Sequence, residues 1–408
     1  MASSGPRVGF VSMHTSPTAA PGTGDAGGMN VVELHQARAL ASIGVPVDLI
    51  TRRTDPDQPD VQELAPGLTL RVLDAGPAKV VAKSKQEVLI EEFSAGLGEL
   101  EPYDLLHSHH WLSGVAALPV ARAHQIPHVQ SYHSVAALPG EGLASGERPE
   151  SPGRVAGEAL VARESDAIVA ISRAEADTVI ARCGADPARV DIIRPGVDHE
   201  VFRPARAGEE PPHWSPDDSA DRPYLLFAAR LQPLKAPDLA IRALAGVPVE
   251  IRPRLVIAGE VSDDFASYRD ELDALVAELG VGDDVTFRGS VAPQELAAWM
   301  RWSYAVLVPS YSETFGLVAL EAEASGVPVL AWRTGGLVEA IVDGQTGMLL
   351  DGRTPQEWAD AISDLVTDPR RRDALGAAAV EYSSRFDWLQ VAQRLANTYR
   401  SLVAERSG

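Results

Sequence analysis

Cysteine is nearly absent: Cys183 is the only one in 408 residues. An intrachain disulfide and a cysteine-built metal cluster are therefore excluded, and a reducing compartment, the cytoplasm, is the expected location. The thiol itself reads as a buried or half-buried side chain rather than a nucleophile. Long apolar runs are also missing. None reaches the roughly 18 residues that span a bilayer, and residues 1–7 carry no charged stretch leading into an apolar one, so membrane insertion is not expected. Positive charge is scarce, with 36 Lys and Arg against 57 Asp and Glu and a net charge of −21. Nucleic acid and anionic membrane would repel such a chain, which leaves a small molecule as its expected partner. Metal-ligand patterns are thin as well. The compact D-x-D at Asp55-Pro56-Asp57 lies in a polar stretch and reads as a solvated loop, and His107, His109 and His110 have no carboxylate or cysteine nearby to complete a set. No metal and no bound cofactor are expected.

What is present points to two cores. A chain of 408 residues with 45% hydrophobic content divides most simply into two α/β domains, and two domains make a cleft. In the first half, short apolar runs at 8–13, 47–51, 68–73, 105–107 and 128–131 read as buried strands, with helical stretches at 31–43, 85–97 and 115–124 between them. Residues 204–223 turn to Glu, Asp, Pro and Gly, which marks the junction. A second series follows, with strands expected at 224–228, 254–258, 284–287, 305–309, 327–331 and 347–350. Thr354-Pro355 reads as an N-cap followed by a first-turn proline, and 388–403 as an amphipathic last helix. Strands alternating with helices predict a mostly parallel sheet in each half.

Between the first strand and the first helix lies GTGDAGG at 22–28. It contains G-x-G-x-x-G, which in isolation suggests a dinucleotide site. In that motif the first glycine sits at the strand's end, however, whereas residues 14–21 intervene here, and Asp48 is followed by Arg52-Arg53 rather than a clean ribose-binding end. The other physical reading is that these glycines let backbone N–H groups approach a diphosphate or sugar, aided by the positive end of the helix.

The second half carries a sharper constellation. In YSETFGLVALE at 311–321, Glu313 falls in a loop and Glu321 lies about a turn and a half into the helix that opens near Gly316. One carboxylate can accept bonds from sugar hydroxyls and the other from a ribose diol, while free N–H groups at Gly316, Leu317 and Val318 meet phosphates. Arg230 and Lys235 follow the first strand of this half, where parallel-sheet proteins place ligand groups. Two fixed cations there suit a departing diphosphate, the role that a metal otherwise plays.

With Arg230 and Lys235 upstream of an E-x7-E region, the chain resembles the retaining glycosyltransferases of family 4, which have the GT-B fold. The similarity covers nearly the whole chain. It is strongest to the actinobacterial members that transfer N-acetylglucosamine to inositol 3-phosphate in mycothiol synthesis, through residues 22–30, HSHHWLSG at 107–114, PGVD at 195–198, QPLK at 232–235 and FGLVALE at 315–321.

The resemblance implies two Rossmann-like domains facing a central cleft. Residues 1–203 would bind the acceptor, 204–385 the nucleotide-diphosphate sugar, and 386–408 would form a helix returning to the first domain. It implies a metal-independent reaction with no protein nucleophile, in which the acceptor attacks the face that the diphosphate leaves. Arg230, Lys235, His133 and Glu313 would be catalytic, His133 lying by the sugar C6 hydroxyl. Gly24, Gly27, Gly28, Gly316, Leu317, Val318 and Glu321 would bind the donor, with Arg288 near the base, uridine or guanosine. The acceptor set would be Asn30, Lys83, His109, His110, Ser134 and Arg154.

Family members specific for inositol phosphate hold its phosphate with a Lys, a Tyr, a Thr and an Arg. Arg154 matches, but His110 occupies the Tyr position and Ser134 the Thr position, while the lysine falls on Lys79, Lys83 or Lys85. This departure shifts the expected acceptor toward a small polar molecule of specialised metabolism: an aminocyclitol, an inositol derivative, or a carboxylate-bearing thiol or thione giving an S-glycoside, as in antibiotic or small-thiol biosynthesis. Transfer to inositol 3-phosphate stands as the alternative, and a nicotinamide-linked oxidoreductase as the rival from another class. Oligomeric state is open, with a homodimer among the readings.

Overall fold

In the computed structural model of the chain, the described residues are 5–20, 26–136, 151–212, 222–261, 265 and 267–407. They build two sheets. The first contains β1 (Val8–Ser12), β2 (Val47–Arg52), β3 (Val61–Ala65), β4 (Leu68–Leu73), β5 (Leu105–His109), β6 (His128–Ser131), β7 (Ala167–Ala170) and β8 (Val190–Ile192). The second contains β9 (Tyr224–Ala228), β10 (Arg254–Ala258), β11 (Val285–Gly289), β12 (Ala305–Val308), β13 (Val329–Trp332) and β14 (Gly347–Leu350). Their orders are β3-β4-β2-β1-β5-β6-β7-β8 and β11-β10-β9-β12-β13-β14. Every strand pairing is parallel except β3 with β4. The chain therefore has the expected α/β class, two Rossmann-like domains.

The central strands are buried on both faces, which is why they read as unbroken apolar runs. Along β1, Val8 and Phe10 face the helix Gly28–Ser42, while Val11 and the following Met13 face the helices Ile90–Gly98 and Trp111–His124. Strand order reverses beside β1 in the first sheet and beside β9 in the second. A doubly wound sheet opens a crevice at the carboxyl ends of such strands, and this is where the residues singled out above collect.

Several elements differ from expectation. β3 is an exposed antiparallel edge whose residues, Val-Gln-Glu-Leu-Ala, carry too few apolar side chains to announce a strand. β7 and β8 are only four and three residues long. The helix expected over 85–97 begins at Ile90, after turns at Lys83–Lys85 and Glu87–Leu89. Gln86 is the cause: its side-chain amide donates to His14 O at 3.0 Å and Val81 O at 2.8 Å, tying the segment to the loop after β1. The helix expected from 115 starts earlier, at Trp111, and tolerates Pro119 inside it.

The last helix, Trp388–Ser407, lies on the first domain. Its Val391, Ala392, Leu395, Ala396 and Tyr399 share one core with Val8, Phe10 and Leu40, and Trp388 stacks on His35 with ring centroids 5.2 Å apart. The two domains also meet at Glu339, which pairs with Arg194 at 2.6 Å and accepts from the Arg173 N–H.

Candidate active site

The two halves approach each other through two helix starts. A Cβ added to Gly28 would stand 3.4 Å from Leu317 Cδ1, and one added to Gly27 would stand 3.8 Å from Arg230 Nε. The start of the helix Gly28–Ser42 thus lies against the start of the helix Leu317–Ala324 and the Arg230 side chain. The first N–H groups of a helix have no intrahelical acceptor, so both ends offer donors and positive potential to an anion. Gly316 caps the second helix with φ of 99°, and a Cβ there would stand 2.6 Å from Leu337 Cδ2, so only glycine fits. Gly24 lies outside the described residues.

Around this junction the second domain places its charges. Lys235 ends the turn Pro233–Lys235, which a backbone bond from Tyr311 N–H to Leu234 O (2.8 Å) fixes to the loop after β12. In that loop Glu313 accepts from Lys235 Nζ at 2.7 Å and from Ser310 Oγ at 2.7 Å, so the ammonium is held in place before any ligand arrives. Arg353, absent from the expected set, stacks over Tyr311 and Trp332 and donates to Pro309 O at 2.7 Å, bracing the same loop from behind. Glu321 faces no opposing charge, and burial raises its carboxyl to about 8. It holds its proton far more readily than an ordinary carboxyl and can both donate to and accept from hydroxyls. Arg288 lies on the edge strand β11, its guanidinium 4.5 Å above the Trp299 ring.

The first domain contributes a column of buried histidines. Ser131 Oγ donates to Val169 O at 3.0 Å, so it accepts from His107 Nε2 (2.9 Å), and His107 Nδ1 accepts from Tyr399 OH at 2.7 Å. The last helix thereby fixes the His107 tautomer. His109 stacks on His107 at 4.4 Å and meets His133 Nε2 through its Nδ1 at 2.9 Å. Burial holds all three rings neutral, with His133 pushed down to about 3. His133 has a left-handed backbone, φ 60°. Its carbonyl accepts from Thr314 Oγ1 of the second domain at 2.8 Å, and its N–H faces the carboxylate of Glu175. Glu175 also accepts from Ile171 N at 2.7 Å, and burial raises it to about 7.

Beyond His133 lies a second cluster. His110 caps the helix Trp111–His124 with φ of 72°, and its ring sits 4.3 Å from that of His14. Arg154 is buried, its Nε 2.7 Å from Glu158 Oε1 and one terminal nitrogen 3.0 Å from Ser134 Oγ. Among the three candidate lysines, Lys79 and Lys85 are exposed, and Lys83 is the half-buried one whose charge acts on His14 and His110. Arg52 shapes the approach to Lys83 by donating to Pro77 O at 2.9 Å and Lys79 O at 2.8 Å.

Two residues of the expected acceptor set are tied into internal contacts. Asn30 spends both amide hydrogens on Thr15 Oγ1 (3.2 Å) and Ser16 O (2.8 Å), and its oxygen accepts from Gly27 N–H at 2.9 Å. These bonds shape the glycine loop and leave one lone pair of the amide oxygen for a ligand hydroxyl. His109 is fully buried, its Nδ1 bonded to His133 while its Nε2 has no hydrogen-bond partner among the described residues. Sequence reasoning missed His14, Glu158, Glu175, Thr314 and Tyr399, because each acts through a contact made by distant chain segments. Cys183 is buried and its thiol is pushed up to about 12, which leaves it inert.

Two doubly wound domains with cations and a half-buried carboxylate on one wall of the crevice, and buried polar groups on the other, define the two-domain sugar-transferase class. Known proteins agree. Residues 212–382 match the family described as glycosyl transferases group 1, and residues 27–196 match the glycosyl transferase 4-like domain. A D-inositol 3-phosphate glycosyltransferase of Stackebrandtia nassauensis is 42% identical over 98% of this chain and 93% of its own. The protein of that name from Frankia alni is 42% identical over 96% and 98%. Among solved structures, sucrose-phosphate synthase from Thermosynechococcus elongatus has a TM-score of 0.89 at 28% identity, covering 98% of this chain and 100% of that one. Anabaena HepE in complex with UDP and glucose shares the fold, with a TM-score of 0.75 at 20% identity over 97% and 100%. The chain belongs to the group 1 and 4-like glycosyltransferase family, and it is a GT-B glycosyltransferase. The nicotinamide-linked reading of residues 22–28 falls with that.

Proposed function

We propose that this enzyme transfers the sugar of a nucleoside diphosphate sugar, with retention and without a metal, to inositol 3-phosphate. The observation that carries the acceptor is the cluster of half-buried Lys83 and buried Arg154 with His14, His110 and Ser134, which is the residue after His133. Relatives at about two-fifths identity are named for that acceptor, which favours it over the specialised-metabolism acceptors that His110 and Ser134 suggest from sequence.

The acceptor hydroxyl oxygen bonds to the anomeric carbon from the side on which the diphosphate departs. The bond from that carbon to the phosphate oxygen breaks, its electron pair leaves with the diphosphate, and the hydroxyl proton passes to a phosphate oxygen. Negative charge grows on the leaving group, and Arg230, Lys235 and the N–H groups at 316–318 stabilise it more than they do the ground state. Glu313 holds Lys235 for that task and accepts from sugar hydroxyls. Glu321 takes the ribose diol. His133, neutral and held by His109, Thr314 and Glu175, lines the reacting centre.

A carboxylate acceptor is the second reading, favoured by Glu158, which offsets part of the Arg154 charge at 2.7 Å. Purified enzyme incubated with UDP- or GDP-sugars and either inositol 3-phosphate, free inositol or a carboxylate-bearing thione, with and without EDTA, decides between them. The proposal expects an α-glycoside of inositol 3-phosphate from an α-linked donor, formed undiminished in EDTA, as read by the anomeric proton coupling. Product from the thione alone would replace the acceptor reading, and an inverted anomer or loss of product in EDTA would overturn the mechanism.

A further inference from the structure

Among the described residues His14, His109 and His133 each strand one ring nitrogen in the crevice, whereas His110 strands both and lies against His14. Both ring nitrogens of His110 and Nδ1 of His14 are buried with no hydrogen-bond partner among the described residues. Exposure is 2% for His110 and 9% for His14, and their rings lie 4.3 Å apart at 40°. Stranding a buried polar nitrogen costs about 1–3 kcal/mol, so a pair left this way, one in the loop after β1 and one at the end of β5, is kept for a ligand that arrives.

The charged groups around the pair are mostly of one sign. Lys83 faces both rings from its turn and Arg154 from the helix Arg154–Glu164, His133 faces them from the loop after β6, and Arg230 faces His14 from the second domain. The nearby carboxylates are engaged: Glu158 with Arg154 at 2.7 Å, and Glu87 with the Gly153 N–H at 3.2 Å. Burial and these cations keep both imidazoles uncharged near neutral pH. A phosphomonoester entering among them reverses the local field around His110, because its two negative charges exceed what Lys83 supplies once Arg154 is shared with Glu158, Arg230 acting on His14 alone.

We infer that His14 and His110 form a proton-accepting pair that becomes charged when a phosphomonoester dianion enters the pocket, so that acceptor binding is coupled to proton uptake. The proton comes from solvent and adds to a free imidazole nitrogen, and no covalent bond to the acceptor forms. A monoanionic carboxylate needs no such proton, and the pair therefore selects for the dianion. This rests on the acceptor reading above.

Titration calorimetry of the full chain with D-inositol 3-phosphate at pH 7.5, in several buffers of different ionisation heat, counts the protons directly. The second ionisation of a phosphomonoester lies near about 6, so the ligand itself contributes little at that pH. Uptake approaching about one proton is expected, with Kd weakening up to about tenfold per pH unit between 7 and 8.5. His110→Phe and His14→Gln should each remove most of the uptake, while Lys83 and Arg154 keep binding measurable. Binding heat with no proton uptake, or uptake unchanged in both variants, overturns the inference and leaves the acceptor reading standing. No heat with D-inositol 3-phosphate overturns the acceptor reading and the inference with it.

Discussion

The two walls of the crevice are built on opposite electrostatic plans. On the donor wall the central ion pair is already made: Lys235 is held by Glu313 at 2.7 Å, and Glu313 also by Ser310. On the acceptor wall His110 and His14 retain stranded nitrogens beside a buried Arg154–Glu158 pair. A prepaired wall is preorganised for charge that develops during reaction, whereas a wall with stranded groups is completed by its ligand. Breaking each wall should therefore give different signatures.

Lys235→Ala attacks the donor wall and should have the largest effect. Removing one preorganised donor costs roughly 3 kcal/mol of transition-state stabilisation, so kcat should fall about 100- to 1,000-fold with the melting temperature little changed. Steady-state turnover against thermal melts checks this, and near-wild-type turnover would refute the assignment. On the acceptor wall, Arg154→Ala should instead damage the fold, because it takes from buried Glu158 the guanidinium held 2.7 Å away, a loss of about 3 kcal/mol of stability. Replacing both, as Arg154→Met with Glu158→Leu, should recover most of that stability without recovering transfer, which separates the structural part of Arg154 from its part in binding.

Between the walls, Glu175→Gln tests the seating of His133. With the carboxylate gone, the left-handed His133 loses part of its support, and we expect kcat to fall roughly tenfold while nucleoside diphosphate binding stays intact. Equal losses in both would make Glu175 a general fold residue. The smallest effect concerns pH. Glu321 is raised to about 8 by burial, above its unfolded value, so the stability it lends is full at low pH and is lost as pH rises from the unfolded value through about 8. Glu321→Gln should flatten the decline in melting temperature between pH 5 and 8 in the ligand-free enzyme, and an unchanged slope would contradict that burial.

Most of the donor wall was legible in the sequence because its residues are neighbours along the chain. Glu313, Gly316, Leu317 and Glu321 sit on one loop and the helix it starts, and Arg230 and Lys235 follow a single strand. The acceptor wall was legible only in part. The resemblance supplied His110, Ser134 and Arg154, but no periodicity could place His14 beside His110 or choose among three lysines. Gln86 made that choice by tying its segment to His14 O, which halts the helix expected from 85 and turns Lys83 inward. Asn30 shows a related limit: its amide hydrogens meet a turn fifteen residues earlier, and only the folded loop shows that they are spent there.

The sequence by itself determined the two-domain α/β plan, the lack of disulfide and cysteine chemistry, the acidic surface and the donor motif. These follow from composition, short-range periodicity and residues within a few turns of one another. Tertiary structure alone decided which polar groups are stranded and which are satisfied, that Tyr399 of the last helix fixes the His107 tautomer, and that Thr314 and Glu175 hold His133 from two sides. Those properties depend on burial and on hydrogen bonds between segments up to 292 residues apart, and the free energy of a buried polar group is set by what folding brings next to it.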